Sequence, residues 1–484
     1  MSSARGRLAR WLRRYLTACG IAVNLAGAAL LVGVLVLGPR GAYEQVRDAG
    51  DTLRVTALEW RGALLAWSAQ RTRRELDLQA TALAEPFGAP ADAAVGGSAA
   101  AARVLRVGPG EDLATPGAAS RVARDGDFIE IAAGDYPGES VRWRADDLVV
   151  RGVGGFAHVD VDGTRLVEEK AAWLVQGDRM RIEQVTFSGA RSRDRNGAGI
   201  RAEGSGLHVR RCRFLDNETG ILSNPVPGGR IVVEYSEFAG NGHPDGQAHQ
   251  IYISDSAEFV LRGSYLHGTV IGSAVKSRSR SNVIEYNRIV DGANGRSNYT
   301  IDLSEGGQAV IVGNELEQGP YSGNGRLIAF GPEGARGGDT LHVVHNTLVS
   351  DRVAGRFVWN NTTGLAHLYN NLMVGGRRAI EGAALLVGNV FASDAWPGPR
   401  GAELGGVAGS NHNQRVSAAA AGIVSRAALD YRLQASSPAV NAAIALDEHA
   451  AGRLSPRYEY RHPAATHARD MRSGADAGAH ELAE

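Results

Sequence analysis

The sequence predicts an all-β protein, a right-handed parallel β-helix preceded by a transmembrane helix and a short helical stalk. Three observations carry this. A short phrase, a small or amide residue followed by a variable and then a large apolar one, recurs as Cys212-Arg213-Phe214, Ser236-Glu237-Phe238, Ser264-Tyr265-Leu266, Asn287-Arg288-Ile289, Asn314-Glu315-Leu316, Asn346-Thr347-Leu348, Asn371-Leu372-Met373 and Asn389-Val390-Phe391. Its copies start 24, 28, 23, 27, 32, 25 and 18 residues apart, the period of a solenoid whose coils stack about 4.8 Å apart. The chain has 63 glycines in 484 residues, which suits many tight turns. An uncharged apolar run also stands near the N-terminus behind a cluster of arginines.

Residues 1–15 form a basic tail with Arg5, Arg7, Arg10, Arg13 and Arg14. Residues 16–38 follow without a charge, long enough to cross a bilayer core of about 30 Å. The positive flank keeps the N-terminus cytoplasmic and sends the remainder across the inner membrane into the periplasm. A cleaved signal peptide is the competing reading. Pro39 directly after Gly38 and the length of the run favour an uncleaved, single-pass anchor. Leu16-Thr17-Ala18-Cys19 resembles a lipoprotein cleavage box but precedes the apolar run, so that reading is rejected.

Residues 41–85 read as a helical stalk. Val46, Leu53, Trp60 and Trp67 recur every seven residues, compatible with self-association through a coiled-coil seam or with a stripe packed on the solenoid. Gly50 and Gly62 interrupt it. Residues 86–103, mostly Ala, Gly and Pro, read as a flexible linker. The solenoid then spans 104–395, and 396–484 supply the last coils and a C-terminal cap. Stacked asparagines at 287, 314, 346, 371 and 389 are expected to bond amide to amide on one inner turn. That makes them structural.

The acidic and basic counts are equal, 52 each, which argues against a general nucleic-acid binder. Only Lys170 and Lys276 among the basic residues are lysine. Coding bias explains the arginines; a lysine that remains can still do what arginine cannot, lose its proton near neutral pH. Cys19 and Cys212 cannot build a disulfide framework.

Aligning the coils on Ile251, Val275, Ile301 and Ile328, spaced 24, 26 and 27 residues, turns the next residue of each strand outward. Tyr252, Lys276, Asp302 and Ala329 then form a row about 5 Å apart. Ser254, Arg278, Ser304 and Gly331 lie beside it. Tyr252, Lys276, Asp302 and His249 are the candidate catalytic groups. Arg278, His267, Glu305, Gln318, Asn324 and Glu333 are candidate substrate contacts, notable for their concentration between 249 and 333. The bland alternative is a solvated face with a Lys–Asp cross-strand pair of small energetic consequence.

The strand at Val104, the turn Asp125-Gly126-Asp127 before Phe128-Ile129-Glu130-Ile131, and the closing Gly478-Ala479-His480-Glu481 together resemble the pectin-lyase-like right-handed parallel β-helix proteins of bacteria, over residues 104–484. The strings Asn196-Gly197-Ala198-Gly199-Ile200-Arg201, His249-Gln250-Ile251-Tyr252-Ile253, Val275-Lys276-Ser277-Arg278 and Ile301-Asp302-Leu303 look like a membrane-associated set of these proteins without a settled activity. Val275-Lys276-Ser277-Arg278 is also similar to the chondroitinase-B and alginate-lyase group, in which a lysine on this strand is the general base and an arginine on the next coil its partner. This chain offers Asp302 and Ser304 there instead.

The leading expectation is therefore a membrane-anchored periplasmic protein acting on an acidic polysaccharide by lyase-type β-elimination. Such a reaction needs a base for the C5 proton, a group that neutralises the C6 carboxylate and an acid for the leaving oxygen. Lys276 serves as base only if its pKa falls, which Arg278 favours and Asp302 opposes. Otherwise Lys276 holds the carboxylate while Tyr252 or His249 moves the proton. A glycoside hydrolase using Asp302 with Glu305 or Glu333 and a non-catalytic polysaccharide-binding or export-assisting solenoid are the alternatives. Asp302, Glu305 and Glu333 are hard oxygen ligands suited to calcium, but no compact calcium loop is present, so neither metal nor cofactor is predicted.

Overall fold

The computed structural model describes residues 103–352, 354–394, 407–446, 454–471 and 474–483. The tail, membrane segment, stalk and nearly all of the linker fall outside the described residues. Among the described residues no helix is long and apolar enough to cross a membrane.

The chain winds as a right-handed solenoid with three faces. One face runs from Val104–Val107 through strands such as Ser281–Glu285 and Gln308–Val312 to Val407–Asn411; a second runs from Val185–Ser188 through Arg288–Val290 to Gln414–Val416. The long strand Val149–Asp160 pairs with the early strands of both, which joins them into one 23-stranded sheet. The third face is a separate ten-stranded sheet from Val141–Trp143 to Arg378–Glu381. All ladder pairings on these faces are parallel, as a coil stacked on the next coil requires.

The entry to the solenoid is as the sequence implied. Val104–Val107 leads to the helix Pro116–Val122, capped by the Thr115 side chain with Pro116 in its first turn, where a missing N–H costs nothing. Phe128–Asp135 then pairs with the first strand. Inside, inward residues of alternating strands make a continuous apolar column. Trp143, Trp173, Phe187, Phe214 and Phe238 contact one another in sequence, with ring centroids 4.6 to 5.3 Å apart.

The bend between the first two faces explains the recurring phrase. Before each phrase stands a residue with positive φ, such as Tyr235, Gly263, Tyr286, Gly313 and His345. This turns the chain so that the next side chain points inward. A Cβ at Gly263 would fall 2.6 Å from the Tyr235 ring and one at Gly313 2.7 Å from the Tyr286 ring, so these glycines also leave room for the aromatic of the preceding coil. The amide ladder forms as expected: Asn287 donates to Asn314 at 2.9 Å, Asn314 to Asn346 at 2.9 Å, Asn346 to Asn371 at 3.1 Å and Asn371 to Asn389 at 2.8 Å. Each accepting Oδ1 also takes the backbone N–H of the preceding asparagine. Asn413 extends the ladder, and Ser264, Ser236 and Cys212 hold the same position upstream. Burial pushes the Cys212 thiol up to about 12, so it is an inert core group.

The C-terminal segment follows the last coil, Val407–Asn411 and Gln414–Val416. It runs back along the side of the solenoid: Gly478 N–H donates to the Asn370 carbonyl, Ala479 N–H to Thr347, and His480 bonds Glu315 at 2.7 Å. Arg457 N–H reaches the Tyr286 hydroxyl. The physical reason is apolar surface: Val290, Val349, Leu372 and Val390 point out from the second face and are covered by Tyr431, Leu433, Ala439 and Ala477.

Candidate functional site

The coil alignment drawn from the sequence is the observed register. Ile251 pairs with Val275, Val275 with Ile301 and Ile301 with Ile328, which places Tyr252, Lys276, Asp302 and Ala329 in one row on the outside of the third face. The row is not a solvated surface, however. Lys276 and Asp302 side chains are only 12% and 6% exposed, because Arg278 and the loop carrying Glu333, between Phe330 and Thr340, lie over them.

Lys276 Nζ stands 3.5 Å from Asp302 Oδ2 and 2.5 Å from Glu333 Oε1. Arg278 binds the other Glu333 oxygen and sits 3.3 Å from Glu305. Arg336, from the same loop as Glu333, donates to Glu305 at 2.5 Å and to Asp255 at 3.0 Å. The Glu333 carboxylate is thus held between two cations by a glycine-rich loop whose side chain at that point is 41% exposed. An anionic group of a ligand would meet the same two donors.

Burial works against the charge on Lys276, but Asp302 and Glu333 outweigh it and hold its pKa above the ordinary lysine value. That direction favours the charged form of Lys276 in this arrangement. Asp302 moves the other way: burial raises its pKa and Lys276 offsets this only in part. Ser304 Oγ donates to Asp302 Oδ1 at 2.9 Å. Glu333 is held low by Lys276 and Arg278 despite its partial burial.

His249 is buried, and burial, with Lys276 and Arg278 adding, pushes its pKa down to about 3. Its Nδ1 accepts the Ser273 N–H at 2.9 Å, so the lone pair is occupied and the neutral ring carries its proton on Nε2. Its burial and the two nearby cations favour the neutral ring. It meets the Tyr252 ring edge-on at 5.4 Å. Tyr252 in turn lies 5.1 Å from the Arg278 guanidinium and 5.8 Å from the Lys276 ammonium, a cation–π arrangement that steadies all three.

The remaining candidates divide. Glu305 and Glu333 join the site through the ion pairs given above. Asn324 approaches its edge: it bonds Tyr299, whose phenol feels Asp302 and Lys276. His267 does not belong, because it lies on the second face, 3.2 Å from Glu237 and stacked on Tyr265. Gln318 is also on that face and fully buried, donating to the carbonyls of Asn298 and Arg326. Proximity in sequence misled there, since each coil visits all three faces. Asp302, Glu305 and Glu333, offered as calcium ligands, are each engaged by Lys276, Arg278 or Arg336 instead. Sequence reasoning missed Arg336 and Ser273 as partners; Ser304 it had set beside the row through the coil register, where its hydroxyl donates to Asp302.

Residues 198–373 match a family model described as a right-handed beta helix region. Over its described residues the chain is a right-handed parallel β-helix, and the family model matches its central coils. Solved structures similar to it include pectate lyase Pel9A, at 15% identity over 79% of this chain and 96% of that one with a TM-score of 0.40. A rhamnogalacturonan lyase matches at 11% identity over 67% and 91%, with a TM-score of 0.42. A PL6 alginate lyase in complex with a trisaccharide matches at 13% identity over 66% and 86%, with a TM-score of 0.34. At these scores the likeness carries no chemistry over to this β-helix protein. No curated protein matches the chain.

Proposed function

We propose that this β-helix protein binds an acidic polysaccharide on its third face and cleaves it by β-elimination at Asp302. The observation that carries the reading is the Glu333 carboxylate clamped between Lys276 and Arg278 beside a buried Asp302 of raised pKa. In the reaction a uronate carboxylate displaces Glu333 from the two cations, which withdraw charge from it and acidify the C5 proton. Asp302 takes that proton, the C4–O4 bond breaks, and a C4–C5 double bond forms. Tyr252 is the group that returns a proton to the leaving oxygen. The clamp is worth most when charge builds on the carboxylate in the transition state, in a site that excludes water.

A hydrolytic variant rests on one distance relation. Contacts of 3.5 and 2.5 Å from a single ammonium put an Asp302 and a Glu333 oxygen no more than 6 Å apart, which reaches the separation of roughly 5 to 5.5 Å used by retaining glycosidases. Incubating the purified solenoid with a panel of uronic-acid polymers separates the readings. Ultraviolet absorbance from an unsaturated uronate supports the lyase, and new reducing ends without it support the hydrolase. Binding with neither product leaves a polysaccharide-binding or export-assisting solenoid.

The same proposal sets the protein in the inner membrane through residues 16–38, with residues 1–15 cytoplasmic and the solenoid periplasmic. What supports this is the uncharged run behind five arginines. A reporter active only outside the cytoplasm, fused after Glu484, should work; recovery of a soluble form lacking residues 1–38 would overturn the anchor.

A further inference from the structure

The outer row of the third face continues past the point where the sequence reading stopped. Asp302 pairs with Ala329, Ala329 with Trp359 and Trp359 with Glu381. Trp359 therefore stands two coils from Asp302, about 10 Å along the solenoid axis. Beside it, Arg326 pairs with Arg356 and Arg356 with Arg378, three arginines whose backbones are in register on neighbouring coils.

We propose that Trp359 with Arg326, Arg356 and Arg378 forms a second subsite that holds further acidic sugar units of the same polysaccharide chain. The inference rests on the function proposed above and adds to it the direction in which the chain lies, from Asp302 toward the C-terminal coils.

Charge carries the argument first. Like charges directly opposite each other on paired strands destabilise a sheet. Glu381 bonds Arg326 at 3.1 Å and approaches Arg356 at 3.4 Å, and among the described residues it is the carboxylate seen paired with this row. One carboxylate against three guanidiniums leaves positive charge in surplus, and an anionic ligand offsets it. Guanidiniums suit that ligand because their planar donors match carboxylates two bonds at a time.

Spacing is the second argument. Coils repeat about every 4.8 Å, close to the advance per sugar of an extended glycan, so successive uronates can face successive arginines. Third, Trp359 is partly exposed, and the Arg326 guanidinium lies 4.1 Å from its ring centroid. An indole held in place offers the apolar C–H face of a sugar a flat surface at little entropic cost. Between Asp302 and Trp359 the row carries the small side chain of Ala329, itself buried.

The test is isothermal titration of the whole solenoid with uronic-acid disaccharides and hexasaccharides, and with a neutral hexasaccharide of the same length. Arg356→Gln with Arg378→Gln alters partly or fully exposed side chains, so this variant should fold even if Trp359→Ala does not. The expected result is a hexauronate affinity weakened about tenfold or more by the double variant, with disaccharide affinity unchanged because the disaccharide reaches only Lys276 and Arg278. Unchanged hexauronate binding in the double variant, alongside loss of binding in Lys276→Ala, would overturn the second subsite and leave the proposed function standing. A wild-type protein that binds no acidic glycan, or binds the neutral hexasaccharide equally well, would overturn both.

Discussion

Lys276→Met tests whether the outer row is a buried electrostatic unit or ordinary surface. In the folded protein Lys276 Nζ bridges Asp302 and Glu333, and both Lys276 and Asp302 are nearly covered. Removing one member of a buried pair costs roughly 3 to 5 kcal/mol because the other is left unpaired. Glu333 is exposed enough for water to replace much of its interaction, so about 2 to 3 kcal/mol is the expected loss at neutral pH. A solenoid need not unfold in one step, so native-state amide exchange over 275–277 and 301–303 is the suitable assay. The loss corresponds to exchange faster by about thirtyfold to a hundred-and-fortyfold.

The pH dependence supplies a second check. Burial raises the Asp302 pKa, and without Lys276 it rises further; an acid whose folded pKa is raised destabilises the protein as pH climbs above its unfolded value. Glu333 has a lowered pKa in the wild type, a stabilisation present above its unfolded value and lost in the variant. Both contributions make the deficit largest at neutral pH and smaller below about pH 4. Wild-type exchange rates in the variant, or a deficit independent of pH, would refute the placement of Lys276 between two carboxylates.

Asp302→Asn keeps the shape and the Ser304 contact but removes the base, so turnover should vanish while binding of an acidic oligosaccharide persists by titration. Glu333→Gln frees Lys276 and Arg278 from an internal competitor, and uronate affinity should rise several-fold, an effect absent for neutral sugars. Asn346→Ala deletes a fully buried ladder amide and strands the Asn314 backbone N–H it accepts, while Asn314 Nδ2 keeps the Ile284 carbonyl, costing about 1 to 3 kcal/mol in amide exchange around that coil. Burial opposes the charge on His480, yet Glu315 and Glu459 raise its pKa to about 9. Its stabilisation is therefore full below the unfolded value of about 6.5 and lost as pH rises through about 9. His480→Gln should remove that slope from the thermal midpoint and loosen the C-terminal segment against the solenoid.

The sequence alone determined the fold and the row. A coil in a parallel solenoid meets only its neighbours, so a period in the twenties fixes which residues lie side by side. The Asn287-to-Asn389 ladder and the alignment of Tyr252, Lys276 and Asp302 were legible for that reason. Trp359 was legible too, one coil beyond where the alignment ended. Loops obey no such period. Glu333 and Arg336 sit between the third and first faces, where nothing in the local sequence says how far the chain folds back. Only the tertiary structure seats Glu333 on Lys276 and Arg278, where its loop lies over Asp302 and completes the ion-pair cluster. It also separates His267 and Gln318 from the site, because residues close in sequence are carried to different faces. The path of residues 418–446, 454–471 and 474–483 along the side of the solenoid was equally hidden, since it depends on apolar side chains of many coils combining into one outward patch that exists only once the coils are stacked.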